Sequence, residues 1–164
     1  MTSNPSIRKA VYEKDLDTLY DLINKEQGQD IFKDSKRLGD DRHSSRVKFF
    51  IDHMWVWQMD GKVVGCVAVI EQENDIKSVE LLTVHHDQQG QGIGSKLMDF
   101  VESCGGVIHV YVYEAHERVK NFYTRRGYLT GKTVFVSTNL QVPADSLYDP
   151  NTKAILFSKD MSMS

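Results

Sequence analysis

The segment Gln89-Gly90-Gln91-Gly92-Ile93-Gly94-Ser95 leaves few folds open to this chain, because of what stands on either side of it. Ser78 to Val84 before it reads as a core strand. Behind it, Ile93, Leu97, Val101 and Cys104 fall on one face of an amphipathic helix that Gly105-Gly106 ends. Val107 to Tyr113 follows and is almost uninterruptedly apolar, as a strand buried on both faces should be. The glycines therefore sit at the turn of a β-α-β crossover. There they let main-chain N–H groups approach a ligand, and the helix adds its unpaired N–H groups and dipole. Such a turn suits an anion of the pyrophosphate kind. A Walker loop is excluded, since Ser95 precedes Lys96 where Lys-Ser/Thr order is required. The dinucleotide fingerprint is excluded too, because Gly90-x-Gly92-x-Gly94 has the wrong spacing. The pattern Gln/Arg-x-x-Gly-x-Gly/Ala fits Gln89 to Gly94 without a mismatch. The plain alternative is a glycine-rich turn that merely feeds a helix.

The remaining elements fill in around this unit. Ser6 to Ala10 reads as a short strand. Asp15 is expected to cap a helix carrying Leu16, Leu19, Tyr20 and Ile23. Asp30 to Arg42, charged and holding Gly39, reads as a loop. Val47, Phe50, Ile51 and Met54 predict a second helix. Trp55–Met59 and Lys62–Ile70 flank Asp60-Gly61, a strong hairpin signal. Glu117 to Arg126 makes a short helix closed by Gly127. Thr133–Ser137 and Ala154–Ser158 are the last strands, joined by a long loop. The order β-α-α-β-β-β-α-β-α-β-β predicts an α+β domain with a mixed sheet.

Length and charge bound the function. The 164 residues suit one domain, residues 1–164. A net charge of -3 gives no field for nucleic acid or anionic lipid, so neither partner is expected. No apolar run is long enough to span a bilayer, and Met1 to Lys9 lacks the core of a signal peptide. Cys66 and Cys104 lie in apolar stretches and are expected as buried free thiols in a cytoplasmic setting.

A second segment, His116-Glu117-Arg118-Val119-Lys120-Asn121-Phe122-Tyr123-Thr124-Arg125-Arg126-Gly127-Tyr128, resembles a signature of GCN5-related N-acetyltransferases (GNAT), roughly Asn-x-x-Ala-x-x-x-Tyr-x-x-x-Gly-Phe/Tyr. Val119, Tyr123, Gly127 and Tyr128 fill its places, while His116 stands where the family has Asn. Ile7-Arg8 and Asp60-Gly61-Lys62-Val63-Val64-Gly65 also look like that family's opening strand and hairpin. The resemblance implies the GNAT fold: a mixed, mostly antiparallel central sheet with splayed parallel strands, flanked by about four helices. It implies acetyl-CoA as co-substrate. Main-chain groups of Leu82, Thr83 and Val84 would face its pantetheine arm. Gln89, Gly90, Gln91, Gly92, Ile93, Gly94 and Ser95 would cradle its pyrophosphate, and His116 and Phe122 would lie along it. Plain core packing is the other reading of Phe122.

The implied reaction poses two proton problems. An aliphatic amine is protonated near neutrality and attacks only as the free base, and the departing thiolate leaves more easily once protonated. By its place in the signature, Tyr123 is the candidate acid; a main-chain N–H near Thr83 would stabilise the oxyanion. Glu80 is the candidate base, with strand alternation expected to set it on one face with Leu82 and Val84. Glu71, Glu73, Glu114, His85 and His86 compete with it, as does ordered water. Adjacent residues on a strand point oppositely, so His85 and His86 could not readily chelate one metal; a solvent-facing turn is expected there, and no metal site. Trp55 and Trp57 are read as core residues that could also help line an acceptor pocket. Asp30, Asp34, Asp40, Asp41, Asp145 and Asp149 mildly favour a small cationic amine as acceptor. A protein lysine or N-terminal amine is the alternative, as is an acetyl-CoA-binding module without turnover; a monomer or homodimer is expected.

Overall fold

Asp60 and Gly61 adopt φ of 51° and 77°, both positive, as a two-residue hairpin turn of this twist demands. Strands β2 (Met54–Met59) and β3 (Lys62–Gln72) leave it antiparallel. The computed structural model describes residues 6–27, 38–135 and 153–162. The other strands are β1 (Ser6–Lys9), β4 (Ile76–Val84), β5 (Val107–Tyr113), β6 (Leu129–Phe135) and β7 (Lys153–Asp160). The helices are α1 (Tyr12–Gln27), α2 (Ser45–Asp52), α3 (Ile93–Ser103) and α4 (Glu117–Arg125). This is the order read from the sequence. One mixed sheet runs β1-β2-β3-β4-β5-β7-β6, with β4 and β5 parallel and the other neighbours antiparallel. Asp30, Asp34, Asp145 and Asp149 lie outside the described residues, with the end of the strand read over Thr133–Ser137 and the loop beyond it.

Two apolar clusters sandwich the sheet. Leu19 and Ile23 of α1 and Val47 and Ile51 of α2 bury against Val56, Cys66, Ala68 and Leu81 on one face. Ile93, Leu97, Met98 and Val101 of α3 and Tyr123 of α4 bury against Val67, Val79, Ile108, Val110, Val112 and Phe157 on the other. Truncating one such fully buried side chain to Ala costs about 2–5 kcal/mol.

Three expectations are corrected. Asp15 lies inside α1 rather than capping it, and is 3% exposed. Arg8 donates two guanidinium hydrogen bonds to its carboxylate at 2.8 and 2.9 Å, and the Val11 N–H adds a third at 2.8 Å. A carboxylate can be buried there because its partners meet it on both sides. Met54 opens β2 instead of extending α2, since α2 ends at Asp52 with His53 as its C-cap. On β5 only Ile108, Val110 and Val112 are fully buried; the alternate residues are half-buried, so one face alone is well covered.

Polar ties hold the helices that frame the cleft. Glu102 of α3 accepts hydrogen bonds from Arg126 at 3.0 and 3.1 Å, from the Tyr128 hydroxyl at 2.9 Å and from Lys159 at 3.1 Å. The end of α4 is thereby fixed to α3 and β7. At the start of the β4–β5 pair, Lys77 Nζ donates to Gly105 O at 2.9 Å. Gly106 lies so close that a Cβ there would stand 2.4 Å from Asp75 O.

Candidate active site

The parallel ladder between β4 and β5 runs only from Ile76↔Val107 to Val79↔Val110, although the strands continue to Val84 and Tyr113. A bulge causes the parting: Ala68 pairs with Leu81 and Val69 with Val79, which leaves Glu80 as the extra residue. Beyond it, His85 N–H donates to Val64 O at 2.8 Å. Counting back along the ladder, Thr83 turns its main chain to Cys66 of β3, while Leu82 and Val84 turn theirs to the gap. Of the three residues expected along the gap, Thr83 is thus engaged elsewhere. Its Oγ1 is buried without a partner.

The glycine turn lies at the mouth of this gap. Gly90 and Gly92 have φ of 86° and 80°, a region that disfavours residues with a Cβ, and open space lies beside both. Gly92 is the N-cap of α3, with no side chain closing the helix end. Gln89 Nε2 donates to Val84 O at 3.1 Å and ties the turn to β4. A Cβ on Gly94 would stand 3.8 Å from the Phe122 ring and 3.9 Å from Val84, so α4 meets α3 across this glycine. Unpaired helix N–H groups, left-handed glycines and open space together fit a pyrophosphate. His116 is the N-cap of α4 and sets its ring edge-on to Tyr113, 5.8 Å between centroids.

The bulge alters the expected alternation. Val79, Leu82 and Val84 pack with the α3–α4 cluster and Leu81 with the α1–α2 cluster. Glu80 therefore shares its face with Ser78, whose hydroxyl donates to Glu80 Oε1 at 2.8 Å, and not with Leu82 and Val84. It looks towards α1 and α2, from the first position past the last parallel rung. Glu71 and Glu73 lie at the opposite end of β4, where Glu71 pairs with Lys77. Glu114 is exposed just past β5.

Tyr123 is 2% exposed, among Phe122, Tyr128 and Phe157. Its hydroxyl meets the Met98 sulfur at 4.0 Å. Burial pushes the phenol well above its ordinary range, against a smaller opposite pull from Arg126. The proton therefore stays on Tyr123 through neutral and mildly alkaline pH.

His85 and His86 stand on a turn, as expected, but their rings do not point apart. The strand ends at Val84 and the chain enters a short 3-10 turn, so the two rings stack at 4.4 Å and 23°. Glu26, at the end of α1, accepts from His86 at both ring and main chain, 2.7 and 3.2 Å away. Glu26 had no signal in the sequence, being sixty residues distant. Trp55 meets the Phe100 ring at a tilt of 51° and Trp57 lies under Lys96, both on the α3 side and away from α1 and α2. A groove lined by Lys9, Trp55, Glu71, Lys77, Phe100 and Cys104 opens at the far end of β4. Cys66 is buried as expected, but Cys104 is exposed, because α3 ends there. No helix among the described residues is long and apolar enough to cross a membrane.

The sequence model of the acetyltransferase (GNAT) domain matches residues 51–129, a span from α2 to the start of β6. Peptidyl-lysine N-acetyltransferase YiaC of Escherichia coli K12 is 30% identical over 74 residues, 45% of this chain and 48% of that protein. The chain thus matches about half the length of that relative. The ribosomal-protein-S18-alanine N-acetyltransferase of Escherichia coli shares the fold at a TM-score of 0.69, with 16% identity, over 98% of this chain and 96% of that one. The yncA protein of Salmonella typhimurium, solved with its cofactor acetyl-CoA, superposes at 0.70 with 13% identity, over 97% and 95%.

Proposed function

From the GNAT domain matched over residues 51–129, we propose that this chain is a member of that family and an acetyl-CoA-dependent N-acetyltransferase acting on a primary amine. The observation that carries the proposal is the parting of β4 from β5 after Val79↔Val110, beside the open glycine turn at the start of α3. Gap and turn together offer an extended slot that ends in an anion site. Acetyl-CoA, when bound, supplies an activated acyl thioester. Main-chain N–H groups from Gln89 to Ser95 hold its phosphates, and Leu82 and Val84 face its arm. Phe122 covers the slot from α4, and His116 stands at the start of the same helix. Glu80 Oε1 or Oε2 accepts the proton of the incoming amine. Its position at the head of the gap, facing α1 and α2, supports that role. The Tyr123 hydroxyl holds a proton for the departing sulfur, and its raised affinity for that proton keeps it loaded.

A protein amine is one reading of the acceptor, favoured by the names of two relatives, one acting on peptidyl lysine and one on the alanine of a ribosomal protein. A small cationic amine is the other, favoured by Asp40 and Asp41 in the segment leading into α2. Calorimetry with acetyl-CoA, NADH and ATP tests the slot: acetyl-CoA alone is expected to bind, in the micromolar range. Free-thiol release with a lysine peptide, an N-terminal alanine peptide and a polyamine then separates the acceptors. Binding without acceptor-dependent thiol release from any amine would make the chain a binding module.

A further inference from the structure

Glu26, His85 and His86 each offer a ligand atom, and these atoms lie within 4.8 Å of one another. We propose that they form a site for a divalent transition metal, Zn(II) by its chemistry, at the junction of α1 with the β4–α3 turn. Two imidazoles and one carboxylate are a donor set zinc accepts, with a fourth position left to water. Bonds of about 2.0–2.1 Å in a tetrahedron put ligand atoms roughly 3.4 Å apart. The widest pair, within 4.8 Å, would close to that spacing, and His86 Nδ1 and Glu26 Oε1, 2.7 Å apart, would open to it.

The parts are held in place without the ion. Glu26 is 10% exposed at its side chain and His86 48%, so the carboxylate is fixed while one ring faces solvent, where an ion can enter. The Asp87 N–H donates to His85 Nδ1 at 3.1 Å, so an ion ligated at that nitrogen takes the place of this bond. The ion takes the place of the proton that His86 Nδ1 shares with Glu26. The ring then carries its proton at Nε2, which lies 3.2 Å from Asp87 Oδ1 and can donate to it. A carboxylate on the outer nitrogen of a ligating histidine orients the ring and strengthens the metal bond. Glu26 and Asp87 together balance a charge of two.

Titration of the untagged, chelator-washed protein with zinc chloride tests this, followed by calorimetry and by thermal unfolding. One ion per chain is expected to bind in the micromolar range and to raise the unfolding temperature, since metal bound to the folded state stabilises it. His86→Ala and His85→Ala are each expected to weaken binding about tenfold or more, and Glu26→Gln to weaken it less. His53→Ala and Cys104→Ser should leave it unchanged. Circular dichroism of each metal-free variant shows whether it folds, and Co(II), whose visible spectrum reports nitrogen and oxygen ligation, gives a second readout. Absence of saturable binding overturns the proposal. So does undiminished binding in a folded His85→Ala/His86→Ala variant, or loss of binding in Cys104→Ser alone.

Discussion

Val79 and Val110 face each other across the last parallel rung of the sheet, and Glu80, the next residue along β4, is the bulge that ends the ladder. One local irregularity thus opens the slot and sets a carboxylate at its head.

Gly92→Glu is expected to abolish acetyl-CoA binding while the fold survives. No atom lies within 4 Å of a Cβ there, but φ of 80° makes any side chain cost about 1–2 kcal/mol, and Glu adds a negative charge at the anion site. Gly92→Ala carries the same backbone cost without the charge and should retain measurable binding. Calorimetry on both decides it; unchanged affinity in folded Gly92→Glu means the phosphates lie elsewhere.

Tyr123→Phe should lower kcat by about 10²–10⁴ with cofactor affinity unchanged. The hydroxyl's described contact is the Met98 sulfur at 4.0 Å, so the unfolding temperature should barely move. A variant within about threefold of wild type would leave Tyr123 as a core residue only, well below what loss of a general acid costs.

Glu80→Gln keeps an oxygen for the Ser78 hydroxyl, so stability should hold. Its rate deficit should be largest near neutral pH and shrink as pH rises towards the amine's own value, about 10.4 for a lysine-like group, where no base is needed. A deficit that does not change across that range removes Glu80 from the role.

Iodoacetamide should modify Cys104 readily and Cys66 only on unfolding. Burial pushes the Cys66 thiol up to about 12, so it presents almost no thiolate at neutral pH. Mass spectrometry of the native protein is expected to find one label per chain, on Cys104.

Asp15→Ala should cost about 1.5–3 kcal/mol, since it removes the acceptor of two charged hydrogen bonds and leaves the Arg8 guanidinium without it. Burial works against the Asp15 charge, but the bonds from Arg8 and the Val11 N–H outweigh it and hold the carboxyl below its ordinary value. The stabilisation is present above the ordinary carboxylate range and is lost as pH falls through the lower, folded-state value. Urea unfolding at neutral and acid pH should therefore show wild type and Asp15→Ala converging in acid.

Much of this was legible in the chain itself. Asp60-Gly61 specified its hairpin, and Gly90 and Gly92 specified a tight turn into a helix, because those conformations belong to few residue types. What escaped was set by partners distant in sequence. The bulge at Glu80 is a mismatch between two strands, and neither strand alone records it. Asp15 looks like a cap until Arg8 is known to reach it from β1. Glu26 and His86 meet only because α1 ends beside the end of β4.

The closed end of the β4–β5 pair bears on the thermodynamics of association. Gly106 packs against Asp75, and Lys77 reaches Gly105, so the angle at which the strands diverge is pinned at their base. A ligand entering the slot breaks no ladder and orders no strand. Association then carries little conformational entropy cost from the sheet, and a larger side chain at position 106, far from the slot, would weaken it by changing that angle.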